Sequence, residues 1–308
     1  MRTNIQTVYD LDICDSHHHL WDLQANGYPW LTEEIKGPRV CGDYRAIQNK
    51  NFLLADFFTN RGYLKVTRFV HEEAVIDRSD PVRETAWLQS IADGGGSEGM
   101  PHAILAYADF SKDNIEAVLD AHIAYLNLRG IRQMVHEAVL DPAKPDLLAD
   151  AKWREKVGLC KKHNLSFELQ VYWQQMENAV DLVKSHPDVT FVLTHTGLPA
   201  RQDDDEYMLA WRSAIKRLAE LPNLNCKLSG FGMFDRSWTS ASIQAVIIPV
   251  IDSFGVERCF FGSNFPVDSL AGKSYAACWE DFFEAVTNFS DDEKRKLFNE
   301  NARRVYRI

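Results

Sequence analysis

Leu11-Asp-Ile-Cys-Asp-Ser-His-His-His-Leu-Trp21 is the stretch on which the fold turns. It begins as an apolar, strand-like run and ends in three histidines and a tryptophan. Side chains two apart on a strand point the same way, so His17 and His19 face one side and His18 the other. In an α/β barrel the loops after the strands build the site at the C-terminal mouth, and the inward pair of histidines would lie there. An open, doubly wound sheet would favour a glycine-rich phosphate turn at this point, and here three histidines follow the strand instead.

Working outward, seven more short β-branched or apolar runs follow: Val66–Val70, Ala103–Ala106, Gly130–Val135, Ser166–Val171, Thr190–Thr194, Leu224–Leu228 and Cys259–Gly262. Between them lie stretches with helical spacing. Pro81–Ala92 carries Val82, Ala86, Leu88 and Ile91; Asn114–Leu126 places Ile115, Val118, Leu119, His122 and Ile123 on one side; Tyr207–Leu221 does so with Leu209, Ala210, Ile215 and Leu218. Eight strands alternating with helices imply a parallel sheet, and eight is the number that closes a barrel. The expected fold is therefore α/β, a (β/α)8 TIM barrel in one domain over residues 1–308. The long insertion from Asp22 to about Arg61, with Pro29, Trp30, Pro38 and Tyr44, is expected to cover the mouth. Ser290-Asp-Asp-Glu293 reads as a capping box that opens a C-terminal helix ending at the basic pair Arg303–Arg304.

Composition narrows the function. The chain has 308 residues, 45% of them apolar, and a net charge of −10 from 34 basic and 44 acidic side chains. A nucleic-acid partner would want a basic stripe, so none is expected. No apolar run reaches the length of about 18 residues that a membrane span needs, and Met1–Leu11 has no signal-like apolar core. None of the six cysteines forms a Cys-x-x-Cys pair, and they read as buried free thiols in a reducing compartment. A cytoplasmic protein without membrane contact is expected, acting on a small molecule, with self-association into a homo-oligomer left open.

Two neutral imidazoles at the mouth can hold a divalent metal or position an acyl oxygen. Here the chain resembles the amidohydrolase superfamily, whose opening His-x-His motif is matched by Asp15-Ser-His-His-His-Leu-Trp21. More narrowly it resembles the lactonase-like, amidohydrolase-2 branch, which includes sugar-lactone hydrolases and a pyrone-dicarboxylate lactonase, with decarboxylases more distant. Matching segments follow in order: Val70-His-Glu-Glu-Ala74, Gly130-Ile-Arg-Gln133, Leu193-Thr-His-Thr-Gly-Leu-Pro199, Lys227-Leu-Ser-Gly230, Phe261-Gly-Ser-Asn-Phe-Pro266 and Asn301-Ala-Arg-Arg-Val-Tyr306.

The resemblance implies a hydrolase in which His195 is a metal ligand or an electrophile toward the substrate carbonyl, and in which His17, His19 and His195 hold a divalent metal such as zinc. It also marks a departure. The superfamily usually carries Asp where this chain has Asn264, and an amide is neither a base at neutral pH nor a good zinc ligand. That substitution counts against a metal. Either Asp268 reaches the site from the loop, or Asn264 aligns water while a histidine acts as base. His71 and Glu73 are expected to share a face with the histidines. Arg132 suits a substrate carboxylate through a bidentate fork. Lys227, inside an apolar strand, is either a substrate cation or the partner of a neighbouring carboxylate. Trp21 and Trp30 are the aromatics expected to stack on a flat substrate.

The expected reaction is hydrolysis of a lactone or related carboxylic ester, by water attack on a carbonyl polarised by the strand-one and strand-six histidines. Metal-dependent non-oxidative decarboxylation and a degenerate barrel that binds without turnover are the alternatives.

Overall fold

The structure is a computed structural model in which residues 5–308 are described. The first four residues of the Met1–Leu11 stretch lie outside the described residues. Eight parallel strands pair in chain order: β1 Ile13–His18, β2 Val66–Glu72, β3 Ala103–Tyr107, β4 Leu128–Arg132, β5 Ser166–Leu169, β6 Phe191–Leu193, β7 Leu224–Leu228 and β8 Cys259–Phe261. Every strand expected from the sequence is present, with ends displaced by at most a few residues. Helices cross between them, among them Leu54–Arg61, Val82–Ala92, Ile115–Ile123, Ala151–Val157, Met176–Ser185, Asp205–Ala219 and Ser240–Phe254. This is a (β/α)8 barrel.

The seam between β8 and β1 closes at the mouth through backbone and carboxylate bonds. Asn264 N–H donates to His17 O (2.8 Å) and His19 N–H to Phe265 O (2.9 Å). Buried Asp15 accepts from Ser263 N–H, Ser263 Oγ–H and Tyr275 OH at 2.6 to 2.9 Å. The approach is so close that a Cβ on Gly262 would lie 2.7 Å from His17 Cβ.

Two apolar layers hold the barrel. Outward strand faces pack against the helices, with Phe69, Ile104, Ile131, Phe167, Phe191 and Phe261 fully or almost fully buried. The inner face is plugged from below: Cys14, Val70, Leu105, Val192 and Phe260 pack with Ala302, Val305 and Tyr306 of the last helix, Asn301–Tyr306. The Ser290–Glu293 capping box forms as expected, and a π-helical turn at Lys296–Glu300 precedes that last helix. All six cysteines are buried and free.

Two details differ from the sequence reading. Leu209 is 69% exposed, because the buried stripe of its helix runs through Tyr207, Trp211, Ala214, Ile215 and Leu218 instead. Leu126 is 81% exposed, because its helix ends at Ile123. Among the described residues, no helix is long and apolar enough to cross a membrane.

Candidate active site

A cavity of about 720 Å³ opens at the C-terminal mouth. Its floor is formed by His19, Arg132, Gln170, His195 and Asn264, and its roof by Trp30, Lys36, Arg39 and Tyr44 from the loop after β1. Trp30 Nε1–H donates to Ala74 O (2.8 Å), which ties the roof to the end of β2.

The histidine run alternates as a strand should. His18 turns outward into Phe52, Phe57, Phe69 and Tyr275, with ring centroids 4.9 to 6.0 Å away. His17 and His19 turn inward, their Nε2 atoms 3.2 Å apart. His19 Nδ1–H donates to Glu72 O (2.9 Å), and His19 Nε2 lies 3.4 Å from Asn264 Oδ1. A carbonyl oxygen can only accept, so His19 holds its proton on Nδ1 and leaves Nε2 bare. Burial lowers the pKa of His19 to about 3 and those of His17 and His195 well below the usual histidine value, so all three are neutral imidazoles.

His195 follows β6 on a turn of unusual backbone. His195, Thr196 and Leu198 all have φ near +50°, and Gly197 has φ 68°. Such a run is costly for side-chain-bearing residues. It is held by Trp211 Nε1–H donating to Thr196 O (3.0 Å) and Tyr207 OH donating to Leu198 O (3.2 Å). His195 Nδ1 shares a hydrogen bond with Ser229 Oγ (2.9 Å), and its ring centroid lies 4.5 Å from that of His17.

Asn264 is also left-handed, at φ 53°. Its Nδ2–H donates to Asp268 Oδ1 (2.8 Å), and Asp268 Oδ2 accepts from Gly232 N–H (3.2 Å). Asp268 therefore stands behind Asn264 and does not line the cavity. Burial raises its carboxyl to about 7.

Several expected site residues sit elsewhere. His71 does not join the mouth. Strand alternation turns it outward with Phe69, where it accepts from Leu20 N–H (3.2 Å) and lies 4.0 Å from Glu84. Glu72 takes the inward position on β2. Glu73, just past the strand end, does line the cavity, held by Arg78 (3.0 Å) and Arg132 (3.2 Å). Arg132 also donates to Glu73 O (2.5 Å) and lies 3.3 Å from Glu72 Oε1, so two carboxylates already face its guanidinium. Lys227 is fully buried and donates to Glu72 Oε2 (2.7 Å) and Glu168 Oε2 (3.0 Å). It is thus the partner of neighbouring carboxylates and does not reach the cavity. Trp21 is buried beneath Trp30 (5.7 Å, edge-on) with Nε1–H donating to Lys50 O (2.9 Å), so Trp30 alone of the pair faces the cavity.

Glu72, Glu168 and His136 were not among the site residues expected from the sequence. The signal for both glutamates was the one used for Lys227, a charge inside an apolar strand. His136 is buried, lines the cavity and has no partner on Nδ1.

The donor set does not complete a divalent-cation site. Among the described residues, no three His, Cys, Asp or Glu side chains are arranged to hold a metal. His17 and His19 converge, but the oxygen beside them is the neutral amide of Asn264. Zinc prefers thiolate, imidazole or carboxylate there.

Comparison with known proteins agrees with this architecture. The amidohydrolase family profile matches residues 14–308. An uncharacterized protein of Sinorhizobium fredii is 41% identical over 97% of this chain and 99% of its own. An L-fucono-1,5-lactonase of Burkholderia ambifaria is 25% identical over 96% and 95%. An amidohydrolase of Burkholderia multivorans, solved with bound zinc, superposes with a TM-score of 0.77 at 24% identity, covering 96% of this chain and 99% of that one.

Proposed function

The chain belongs to the amidohydrolase family, and from that premise we propose that it hydrolyses a small lactone, opening the ring by attack of water on the carbonyl carbon. The observation that carries this reading is the bare His19 Nε2 beside Asn264 Oδ1. Both are acceptors, and a water that donates to His19 Nε2 from the cavity side, beside Asn264 Oδ1, has its oxygen lone pairs turned toward a bound carbonyl. Asn264 is held in that orientation by Asp268.

His195 is placed for the complementary task. In this reading the Ser229 hydroxyl donates to His195 Nδ1 (2.9 Å), which leaves the imidazole proton on Nε2 for the carbonyl oxygen. The division of labour is therefore asymmetric. The strand-six histidine polarises the carbonyl, while the strand-one histidine cannot donate from Nε2 and takes the proton only as the oxyanion forms, when the new negative charge beside it opposes the burial that keeps it neutral at rest. Water adds to the carbonyl carbon and its proton passes to His19. The oxyanion is held by His195. As the intermediate collapses, the ring C–O bond breaks and His19 returns the proton to the leaving alkoxide.

Arg132 supports a substrate class. Because Glu72 and Glu73 already face its guanidinium, it suits a hydroxyl or ring oxygen better than a free carboxylate, which weakens the expectation of a carboxylate-bearing substrate. Gln170 and His136 add neutral polar groups to the same wall. A hydroxylated sugar-acid lactone fits this lining, in keeping with the L-fucono-1,5-lactonase among the relatives.

The test is a panel of sugar-acid 1,5- and 1,4-lactones assayed by acid release. Turnover is expected for at least one member, with kcat falling by about 10²–10³ in His195→Ala, the loss typical of a single oxyanion donor. Turnover unaffected by both His19→Ala and His195→Ala, or no turnover across the panel, sinks the proposal.

A further inference from the structure

His136 lines the cavity, yet the mechanism above gives it no task. It follows β4 and is 2% exposed. Among the described residues, no hydrogen bond reaches either ring nitrogen, and Nδ1 is buried. A buried polar group without a partner is a cost that native structures seldom carry. Other buried side chains with an unpartnered polar atom, such as His18, His102, Trp173 and Trp279, lie off the cavity; among the described residues His136 alone of that set lines it. Its loop is also fixed in place. Val135 O accepts from Gln175 Nε2–H (2.8 Å), and Gln133 Oε1 accepts from Phe110 N–H (2.9 Å) and Trp153 Nε1–H (2.8 Å). The Tyr172 ring stands edge-on to the imidazole, 6.0 Å between centroids. Burial, reinforced by the Arg132 charge, lowers the His136 pKa to about 3, so the ring is neutral. A neutral imidazole offers one N–H donor and one bare acceptor nitrogen. That pair matches a hydroxyl group, which both donates and accepts, and suits a carboxylate poorly, which only accepts.

We propose that His136 is a specificity-determining residue of this cavity, reading a hydroxyl group of the substrate at the end remote from the reacting carbonyl. The strand order places it there. In the closed ring β4 lies four strands from β8, so His136, past the end of β4, stands across the mouth from Asn264, past the end of β8. A substrate whose carbonyl lies against His19 and Asn264 extends toward His136. A hydroxyl at that end gives the imidazole the partner that the protein withholds. An analogue without it leaves a buried polar group unpaired, and a site built to bond a hydroxyl rejects such an analogue far more strongly than an apolar pocket rejects a missing methylene.

The inference rests on the reading of the cavity as a lactone site, yet its test measures binding and needs no turnover. The probes are a polyhydroxylated δ-lactam and unsubstituted δ-valerolactam, cyclic amides that keep the ring and carbonyl of a lactone, each titrated calorimetrically. The wild type is expected to bind the hydroxylated lactam more tightly. His136→Leu is expected to cut that preference by about ten- to hundredfold, through weaker binding of the hydroxylated lactam alone. His136→Gln, which keeps a donor and an acceptor, should recover part of it. If His136→Leu does not fold, His136→Phe, which keeps a ring against Tyr172, decides in its place. A merely structural role would weaken both lactams together. No binding of the hydroxylated lactam to the wild type, no preference for it, or an unchanged preference in a folded His136→Leu or His136→Phe variant overturns the proposal. If the preference behaves as stated and no lactone is turned over, the hydrolytic reading fails and the hydroxyl-reading role stands. If lactones are turned over and the preference survives the substitutions, the reverse holds.

Discussion

At the scale of single residues, the three adjacent histidines have separate fates. His18 has no hydrogen-bond partner on either nitrogen and sits among aromatic rings. A buried polar group left without partners costs about 1–3 kcal/mol. His18→Leu is therefore expected to stabilise the protein by about 1 kcal/mol in chemical denaturation, with the inward histidines undisturbed; a loss of stability would show that the imidazole makes favourable contacts with the rings. Asn264 supports a second expectation. It holds the oxygen beside His19, and an amide oxygen is a weak zinc ligand. Asn264→Asp supplies the missing anion and should retain zinc through desalting, measured by metal analysis, where the wild type does not. Equal zinc in both proteins would show that the amide is no obstacle.

At the scale of elements, the site depends on where strands stop and how the chain turns. The left-handed run after β6 throws His195 over the barrel mouth, and the end of β7 leaves room for its ring. Gly230 provides that room. A Cβ there would lie 2.4 Å from His195 Nδ1, and its φ of 75° disfavours any side chain. Gly230→Ala should therefore displace His195 and weaken its bond to Ser229. The expected result is a fall in kcat of at least tenfold, with about 1–2 kcal/mol lost from stability through the backbone conformation. Unchanged kcat with lowered stability would mean the turn gives way without moving the histidine.

At the scale of the whole molecule, burial of titratable groups makes stability depend on pH in two opposed ways. Burial raises Asp15 to about 6, Glu168 and Asp268 to about 7, and Glu84 to about 8. In this range the folded protein binds protons that the unfolded chain has released, so stability falls as pH rises from about 4 to 8. The buried histidines act the other way. His17, His18, His71 and His195 lie well below the usual value, and His19 and His136 at about 3. The unfolded chain takes up protons that the folded one refuses, so their stabilisation is lost as pH falls below about 6.5. The melting temperature should therefore peak near pH 6–7 and decline toward about pH 8. Glu84→Gln, which keeps an acceptor for Tyr28 OH and Ala74 N–H, should flatten the alkaline limb. A flat profile from pH 6 to 9 in the wild type would contradict the raised carboxyls.

Local sequence was enough for the barrel and for the place of its mouth. Strand runs and helical spacing are short-range patterns, and the two-residue period of a strand separates His18 from His17 and His19 without knowledge of any partner. The same period, applied to β2, misplaced His71, because which of two alternating faces turns inward is decided by how the strand packs between its neighbours. Lys227 shows the limit most clearly. Its sequence context marked it as a charge needing a partner, but Glu72 and Glu168 lie 155 and 59 residues away along the chain, and only closure of the barrel brings them within hydrogen-bond distance. Asn264 and Asp268 are four residues apart, yet their roles were equally hidden. Whether the acid or the amide faces His19 depends on a left-handed turn at Asn264 and on Gly232 from the short helix Phe231–Phe234 after β7. Patterns along the chain select secondary structure because they act through neighbours; the hydrogen-bonding state of a buried group depends on atoms that only the tertiary fold assembles.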